Sequence, residues 1–387
     1  MRNWERKLVD WVEDNVSTIF LISCVLLGIV IRISVRNYGS GDFIIFLKEW
    51  YIEIAKNGLY KQVGDYNFLY QFAIWIMTKF PFMPSLFSFK ILSILFDLTL
   101  ALVAYFIVKK ENRGGQAIIA FCLIWLSPIV FLNSAVWAQC DSIYTTFAIL
   151  ALYMLSNKKY NASMCLLGVA LAFKLQAVFV LPLFLFVYFV RKEFSITKFL
   201  LVPLSMIGIS LPSLFWGRSI LEIFSIYLNQ TNTYQAISKN YPSFWMLMCK
   251  ENDATPYKYM KLACICIAIF VLALLMYRWL KKGYNTNGKN LYMMAYLVVY
   301  TCVLFLPGMH ERYGYVYEIL AIILALLVPK MIPICIGLVC ITLNTYGHYL
   351  FSLDINLMLL AAINTIIYVI SIYLLDKEMS KTLKENI

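Results

Sequence analysis

Apolar segments of about 20 residues recur along almost the whole chain, and no other feature constrains its fold as strongly. A helix of that length crosses the hydrocarbon core of a bilayer, where every backbone polar group must be satisfied internally. The 387 residues are 62% hydrophobic and 14% charged, whereas soluble domains carry about 25% charged residues. The pattern therefore predicts an all-α polytopic membrane protein.

Twelve segments have the apolar character of membrane-spanning helices. They are predicted near residues 16–35, 87–108, 115–133, 142–156, 160–173, 177–190, 198–216, 259–278, 291–306, 313–328, 331–347 and 355–375. A further apolar segment, residues 66–80, would extend only about 22 Å as a helix. It predicts either another span or a helix that inserts partway, so we expect a bundle of about 12–13 transmembrane helices.

Residues 1–15 combine charged residues with an apolar helical face formed by Trp4, Leu8, Trp11 and Val12. This pattern is typical of a short helix that lies on the membrane surface. The first span would then act as an uncleaved anchor, since the preceding residues lack the pattern of a signal peptide.

The distribution of Lys and Arg decides whether residues 66–80 cross the membrane. If they do not cross and the N-terminus is cytoplasmic, 19 of the 33 Lys and Arg residues fall in cytoplasmic segments. These segments are 1–15, 109–114, 157–159, 191–198, 278–290, 329–330 and 376–387. The distribution therefore predicts that both termini of this multi-pass cell-membrane protein are cytoplasmic and that residues 36–65 and 217–258 are external loops.

The net charge of +12 and the ten cysteines do not indicate nucleic-acid or metal binding. The basic residues are spread over short loops between apolar segments, which is the membrane pattern and not a nucleic-acid patch. Most cysteines lie inside apolar segments without the spacing of metal ligands, so we interpret them as packing residues.

This topology places every unusual polar cluster at the external side of the membrane. Charged groups at membrane depth are expensive and usually functional, so the external side is the predicted active face. The clusters are Asp42, Asp65 and Tyr66; Trp137, Gln139 and Asp141; Lys174 and Gln176; and His310, Glu311, Arg312 and Tyr313.

An amphipathic helix is predicted to follow Asp42 in the first external loop, because Phe43, Leu47, Trp50 and Ile54 share one helical face. Asp42 at its N-terminus would either cap this helix or serve as a general base. As a base, its carboxylate would take the proton of a hydroxyl that attacks an electrophilic carbon.

A basic group beside such a base would hold a phosphate leaving group, and His310, Arg312 and Lys174 are the candidates. With Asp42, they predict an inverting sugar transfer from a lipid-linked phosphate donor. Three structural alternatives stay open: a helix-end position from which Lys174 reaches the interface, a salt-bridged turn at residues 310–312, and a helix cap at Asp141.

Four motifs around these residues resemble a bacterial family of membrane glycosyltransferases of the GT-C class, related to the second mannosyltransferase of GPI-anchor assembly. The motifs are SGDFIIFLKEWYIEIAKNG at 40–58, AVWAQCDSIYT at 135–145, AFKLQAVFVLP at 172–182 and LPGMHERYGY at 306–315. The resemblance extends from about residue 16 to about residue 330. It implies a polyprenyl- or dolichyl-phosphate sugar donor and transfer on the external side.

The resemblance also implies roles for individual residues. The catalytic aspartate of the class corresponds to Asp42, and Asp141, His310 and Arg312 belong to the later motifs. Asp65 and Tyr66 resemble the second acidic position of the family. Two positions differ from the family, since its members often have Gly where Ala138 stands and Pro where Glu49 stands.

Together, the residues predict a single transmembrane glycosyltransferase domain over residues 1–387, with loops 36–65 and 217–258 covering the site. The enzyme would be mannosyltransferase-like and would move a hexose from polyprenyl phosphate to a glycan or lipid acceptor of the cell envelope. Trp137, Gln139 and Asp141 would orient the sugar or phosphate. Its partners would be this donor, the acceptor and membrane lipids, with no nucleic acid.

Some alternatives to this function remain at the level of sequence. No obligatory metal is predicted, although the residues leave a divalent metal open. A polysaccharide polymerase and a transporter or flippase of lipid-linked sugars are the alternative functions. Aromatic residues of loop 217–258 suit either stacking on sugars or an interfacial belt; they are Tyr227, Tyr234, Tyr241, Phe244 and Trp245.

Overall fold

The computed structural model describes residues 2–111, 114–233 and 235–384. Its α-helices are α1 (Asn3–Ser34), α2 (Lys48–Asn57), α3 (Phe68–Met77), α4 (Ser85–Lys110), α5 (Gly114–Leu126), α6 (Pro128–Phe131), α7 (Asp141–Ser156), α8 (Tyr160–Phe173), α9 (Leu181–Arg191), α10 (Leu201–Ser210), α11 (Glu222–Thr233), α12 (Thr255–Lys282), α13 (Lys289–Phe305), α14 (Tyr315–Leu327), α15 (Ile332–Phe351) and α16 (Leu357–Lys384). The predicted helical fold is confirmed.

Short segments of other geometry extend or join these helices. Two are π-helical, Phe43–Leu47 and Leu132–Val136, and 3₁₀ turns occupy Leu175–Val180, Ile196–Leu200, Leu211–Trp216, Phe244–Leu247 and Pro329–Met331. Two short strands, β1 (Ser238–Lys239) and β2 (Met309–His310), pair in parallel with Lys239 opposite His310. They join the second long loop to the segment between α13 and α14.

Within the described ranges, seven helical stretches are long and apolar enough to cross a membrane. They are Asn3–Ser34, Ser85–Lys110, Gly115–Val136, Ile196–Trp216, Thr255–Lys282, Pro329–Phe351 and Leu357–Lys381. Shorter apolar helices occupy Phe68–Met77, Asp141–Ser156, Tyr160–Phe173, Leu175–Arg191, Lys289–Phe305 and Tyr315–Leu327. Each predicted span overlaps one of these helices, so the multi-pass membrane fold is confirmed.

The helix α3 does not complete a crossing of the bundle. Its ten residues extend about 15 Å, half the thickness of the hydrocarbon core. Lys90, near the start of α4, donates hydrogen bonds from Nζ to the carbonyl oxygens of Val35 at 2.9 Å and Tyr38 at 2.7 Å, just beyond α1. The chain between α1 and α4 therefore leaves and returns at one face, which we call the Lys90 face.

The opposite ends of the helices meet at a second face, the Lys110 face. Lys110 at the end of α4 donates to Ser156 at the end of α7 at 3.0 Å, and Arg191 at the end of α9 donates to the carbonyl oxygen of Leu155 at 2.7 Å. The basic loop segments lie on this face. The rule that positive loops stay inside predicts that it is cytoplasmic.

Helices at the centre and at the edge of the bundle differ in burial. In α13, every residue from Asn290 to Phe305 is buried, and α14 is buried over most of its length. In contrast, only 17% of the apolar window of α1, and the same share of α12, is buried. The exposed apolar faces of α1 and α12 are those that a lipid bilayer would solvate.

The structure corrects the prediction for the N-terminus. Residues 1–15 were expected to form a separate surface helix, but α1 runs without a break from Asn3 to Ser34. Its apolar face continues into the first span, since Trp4 and Trp11 are as exposed as Leu26 farther along the helix. Periodicity alone does not distinguish a surface helix from the first turns of a longer one, because both have the same 3.6-residue period.

A buried ion pair ties the first span to the centre of the bundle. Arg32 of α1 donates to Asp97 of α4 at 2.9 Å, and its guanidinium lies 3.6 Å above the ring of Trp125. The hydroxyl of Ser134, in the π-helical segment Leu132–Val136, donates to the same carboxylate oxygen of Asp97. Asp97, which has no predicted role, therefore helps to hold the segment that precedes Trp137.

Candidate active site

A cavity of about 650 Å³ lies at the Lys90 face, and most of the predicted site residues surround it. Nine of the twelve line its wall: Asp42, Asp65, Tyr66, Gln139, Lys174, Gln176, His310, Arg312 and Tyr313. The other three, Trp137, Asp141 and Glu311, are buried behind that wall. A volume of this size is typical of small-molecule and cofactor sites.

Three hydrogen-bond donors from two distant parts of the chain converge on Asp42. Trp137 Nε1 and Gln139 Nε2 each donate to Oδ2 at 2.9 Å, and the hydroxyl of Tyr349 donates to Oδ1 at 2.7 Å. A carboxylate has about four lone-pair positions, so one remains for a further donor such as a substrate hydroxyl. The Arg312 guanidinium lies 4.0 Å from Oδ2.

The helix-capping interpretation of Asp42 is not supported, because its carboxylate makes no capping hydrogen bond within the described chain. Ser40 takes that role, since its Oγ accepts from the backbone N–H of Phe43 at 3.2 Å. The same hydroxyl donates to the carbonyl oxygen of Trp137 at 2.9 Å. Ser40 thus fixes the start of the amphipathic helix and leaves the side chain of Asp42 directed at the cavity.

The backbone after the segment Leu132–Val136 turns sharply and presents two side chains to Asp42. Ala138 has φ of 66°, in the left-handed region that favours glycine. Ser93 of α4 donates to the carbonyl oxygen of Gln139 at 2.6 Å and holds the far side of the turn. The turn therefore brings both Trp137 and Gln139 to the same carboxylate.

Gln139 also links Asp42 to Tyr66. The hydroxyl of Tyr66 donates to Gln139 Oε1 at 2.9 Å, while the amide nitrogen of Gln139 donates to Asp42. Burial raises the pKa of Tyr66 well above its usual value, so its hydroxyl stays protonated and keeps donating. Asp65 lies beside it at the rim and is exposed.

Asp141 and Lys174 form a buried ion pair behind the cavity. The side chain of Lys174 is 6% exposed and that of Asp141 is fully buried, so neither the snorkelling lysine nor the simple helix cap describes them. Lys174 Nζ donates to Asp141 Oδ1, and Asn133 Nδ2 donates to Oδ2 at 2.9 Å. Both carboxylate oxygens of Asp141 already have partners within the protein. Direct contact of Asp141 with a substrate stays a prediction.

The 310–313 segment forms a further part of the cavity wall. Gly308, with φ of 73°, turns the chain out of α13, and its N–H donates to the carbonyl oxygen of Ile237 at 2.9 Å. The next two residues, Met309 and His310, form β2 and pair with β1, and the side chains of His310 and Arg312 line the cavity. The ring of Tyr313 lies 5.0 Å from that of His310.

The salt-bridged-turn interpretation of this segment is correct but incomplete. Arg312 donates to Glu311 and also lies 3.8 Å from Asp141. Burial raises the pKa of Glu311, but the charge of Arg312 and a hydrogen bond from His310 outweigh it and lower that pKa to about 2. Glu311 is therefore ionised at neutral pH, and Arg312 connects the carboxylates of Glu311, Asp141 and Asp42.

Residues 68–307 match Glycosyltransferase family 87, which is more than half of the chain. The protein belongs to this family. Family 87 is a membrane family of the GT-C class, so this is a membrane glycosyltransferase with a sugar donor and an acceptor. No curated protein matches the chain significantly.

The matched residues cover only part of the site of this family 87 protein. Trp137, Gln139, Asp141, Lys174 and Gln176 lie inside the matched range. Asp42, Asp65, Tyr66 and residues 310–313 lie outside it. The roles of the latter group therefore rest on the geometry of the cavity, and a relation to the second GPI mannosyltransferase stays a prediction.

Tyr349 of α15 is a site residue that sequence reasoning missed. It lines the cavity and contacts Asp42, and its ring stacks on Trp137 with centroids 5.0 Å apart. Its helix lies outside both the matched range and the four motifs. An apolar helix that ends in the polar run TYGHY beside a predicted external face was the available signal.

We expect Tyr349→Phe to lower kcat about tenfold while changing the KM for the donor by less than about twofold. A hydrogen bond to a charged group contributes about 1.5–3 kcal/mol, and this one orients the carboxylate without reaching the donor. Tyr346→Phe is the matched control, since Tyr346 lies on the same helix and packs its ring on Trp137. Steady-state kinetics on both variants tests this, and an unchanged kcat in Tyr349→Phe would contradict it.

Both long loops contribute to the cavity wall of the family 87 protein, the first through Trp50 and the second through Asn240 and Asn252. The aromatic residues of the second loop mostly anchor it. Trp245 Nε1 donates to the carbonyl oxygen of Phe305 at 2.6 Å, and the hydroxyl of Tyr241 pairs with that of Tyr317. Tyr234 lies outside the described residues.

No group of three or more His, Cys, Asp and Glu residues in the described parts of the chain is arranged to hold a metal ion. The prediction about metal dependence stays a prediction. The cysteine nearest the site is Cys140, whose thiol is buried, and burial raises its pKa to about 11. It is therefore a neutral packing residue.

Proposed function

We propose that this family 87 enzyme transfers a sugar from a polyprenyl-phosphate donor to a hydroxyl of a cell-envelope glycan or lipid, with inversion, on the external face of the membrane. The observation that carries the proposal is the environment of Asp42. Its carboxylate lies in the cavity wall with three donors and one open acceptor position, and His310 and Arg312 line the same cavity. This pairing of a base with cations suits displacement of a phosphate.

In the proposed step, the acceptor hydroxyl gives its proton to the open lone pair of Asp42. Its oxygen forms a bond to the anomeric carbon of the donor sugar. The bond from that carbon to the phosphate oxygen breaks on the opposite side, and polyprenyl phosphate leaves with the electron pair. Proton, bonds and charge balance without a further reactant, and attack opposite to departure inverts the anomeric centre.

The cations that line the cavity support the departure of phosphate. Arg312 and Lys174 are positively charged, and His310 lines the same wall. Preorganised positive charge at a developing phosphate is a large contribution to transferase catalysis. Gln139 and Gln176 also line the cavity and would contact sugar hydroxyls, while the buried Trp137 acts through Asp42.

The predicted membrane orientation supports an external site. The cavity lies at the Lys90 face, and the basic loop segments lie at the Lys110 face, which the charge rule predicts to be cytoplasmic. A nucleotide sugar made in the cytoplasm would not reach a cavity on the other side. A lipid-linked phosphate sugar would reach the cavity from within the bilayer. Apolar side chains in the cavity wall, among them Phe46 and Ile265, suit such a lipid.

We expect the purified full-length protein to transfer the sugar from a polyprenyl-phosphate hexose. Product analysis by mass spectrometry and determination of the anomeric configuration test donor and inversion together. Activity with nucleotide sugars alone would contradict the donor assignment, and retention of configuration would contradict the mechanism. Activity only with a lipid-diphosphate oligosaccharide would identify a polysaccharide polymerase instead.

A further inference from the structure

The charged groups closest to Asp42 carry an excess of negative charge. Asp42, Asp141 and Glu311 supply three carboxylates, whereas Lys174 and Arg312 supply two cations. Each of these two cations lies within 4.0 Å of at least one carboxylate. A phosphate that approached only these five residues would therefore meet a net charge of its own sign, and binding it would cost free energy.

Two further cations line the cavity and offset this excess of negative charge, and neither belongs to the four sequence motifs. Lys239 lies on β1 directly opposite His310 in the strand pair. Lys261 lies on α12, six residues from its start at Thr255, which corresponds to about 9 Å along the helix. With both lysines and with Asp65, the other carboxylate of the cavity wall, cations and carboxylates are equal in number.

Lys261 is the more informative of the two because of its setting. Among the described residues it forms no ion pair, and its ammonium lies 5.2 Å from the ring centroid of Tyr257 one turn earlier. Tyr257, Lys261 and Ile265 follow each other at intervals of four residues and all line the cavity. A cation in the cavity wall that has no acidic partner keeps its charge available to an anionic ligand.

The other faces of α12 indicate where this ligand comes from. Leu262 is 72% exposed and Ile269 is 60% exposed, so the helix presents apolar side chains outward at the edge of the bundle. Its inner stripe lines the cavity while its outer faces are positioned to meet lipid. A lipid that carries a phosphate can therefore keep its chain against α12 and place its headgroup at Lys261.

We propose that Lys261, assisted by Lys239, binds the phosphate of the lipid-linked donor at the α12 side of the cavity. The inference rests on the proposed function and deepens it by assigning a phosphate-binding residue outside the motifs. In this arrangement the phosphate bridges Lys261 and the cations near Asp42. The anomeric carbon then lies between that phosphate and the open lone pair of Asp42.

The direct test is binding of polyprenyl phosphate, the product lipid, to the purified full-length protein by native mass spectrometry. We expect Lys261→Met to weaken binding about tenfold, because a charge-assisted contact is lost while the length of the side chain is kept. Lys261→Arg should retain binding. Uncharged polyprenol, tested in parallel, should bind all variants equally.

Lys258→Met is the matched control. Lys258 lies on the same helix one turn earlier, is exposed, and has its ammonium 5.8 Å from the ring of Tyr259, but it does not line the cavity. Its variant should bind polyprenyl phosphate as the unmodified protein does. In the unmodified protein, added salt should weaken binding, and this dependence should be smaller in Lys261→Met.

The outcomes separate this inference from the proposed function. Binding that is equal in Lys261→Met and Lys258→Met overturns the inference and leaves the donor assignment intact. An unmodified protein that does not bind polyprenyl phosphate contradicts both. In transfer assays, we expect the donor KM of Lys261→Met to rise about tenfold while its kcat stays within about twofold of the unmodified protein. A rise in the acceptor KM alone would mean that Lys261 binds a phosphate of the acceptor. That result would overturn the assignment of Lys261 to the donor. If Lys261→Met does not fold, Lys261→Gln and the salt dependence of the unmodified protein decide the question.

Discussion

Asp42→Asn should lower the turnover of sugar transfer by about 10²–10⁴-fold, the range that general-base catalysis contributes. Asparagine keeps the shape of the side chain but has no lone pair basic enough to take the proton of the acceptor hydroxyl. The contacts of Asp42 can adapt: the new amide oxygen can accept from Trp137 and Gln139, while the hydroxyl of Tyr349 can rotate to accept from the amide nitrogen. We therefore expect a folded protein with nearly unchanged donor affinity.

Single-turnover transfer and donor binding, measured on the same preparation, test this expectation. Glu49→Gln is the matched control, since Glu49 lies in the same loop on α2, is exposed and does not line the cavity. It removes one negative charge near the site without touching the proposed base. Turnover of Asp42→Asn within a factor of ten of the control would exclude Asp42 as the base.

Much of the fold could be predicted because hydropathy and helix length are local properties. The twelve predicted spans all coincide with helices, and the amphipathic helix after Asp42 was placed correctly. The charge distribution also predicted that α3 does not cross, because one crossing would reverse every later loop. The prediction of a separate surface helix at residues 1–15 was wrong, because these residues are the first turns of α1. The helical period of the apolar residues is the same in both cases and does not show where a helix ends.

The sequence predicted which residues belong to the site, because they are polar residues among apolar segments, but it did not predict their contacts. Polar residues at span ends identified nine positions that line one cavity, but not how they pair. The ion pair of Asp141 with Lys174 joins residues 33 apart, and Tyr349 reaches Asp42 across 307 positions. Such contacts depend on how whole helices pack, and a single sequence does not record that packing.

Lys261 is a cavity residue that the sequence does not distinguish from an ordinary lysine. In the sequence, a lysine near the end of an apolar helix is an ordinary helix-end residue. The structure places it on the inner stripe of α12, four residues from each of two other cavity-lining side chains. Its neighbour Lys258 has the same local composition and faces away, so only the rotation of the helix distinguishes a ligand-binding lysine from an exposed one.

The buried pair of Lys174 and Asp141 should be the second most sensitive point of the molecule. Removing one member of a buried ion pair costs about 3–5 kcal/mol, because the other charge stays buried without compensation. We therefore expect Lys174→Met and Asp141→Asn each to lower the free energy of unfolding by about this amount. The carboxylate of Asp141 is fully buried and keeps only Asn133 and the more distant Arg312 when Lys174 is lost.

The double variant Lys174→Met/Asp141→Asn separates stability from function. Because it removes both charges, it should be more stable than either single variant, and unfolding in detergent measures this coupling. If Lys174 also attracts the donor phosphate, the double variant regains stability but keeps a raised donor KM. If the double variant regains both its stability and the donor KM of the unmodified protein, the role of Lys174 is to hold Asp141 and the turn that carries Gln139. The phosphate is then bound by His310, Arg312 and Lys261, with no contribution from Lys174. A double variant no more stable than the single ones would contradict the buried pair itself.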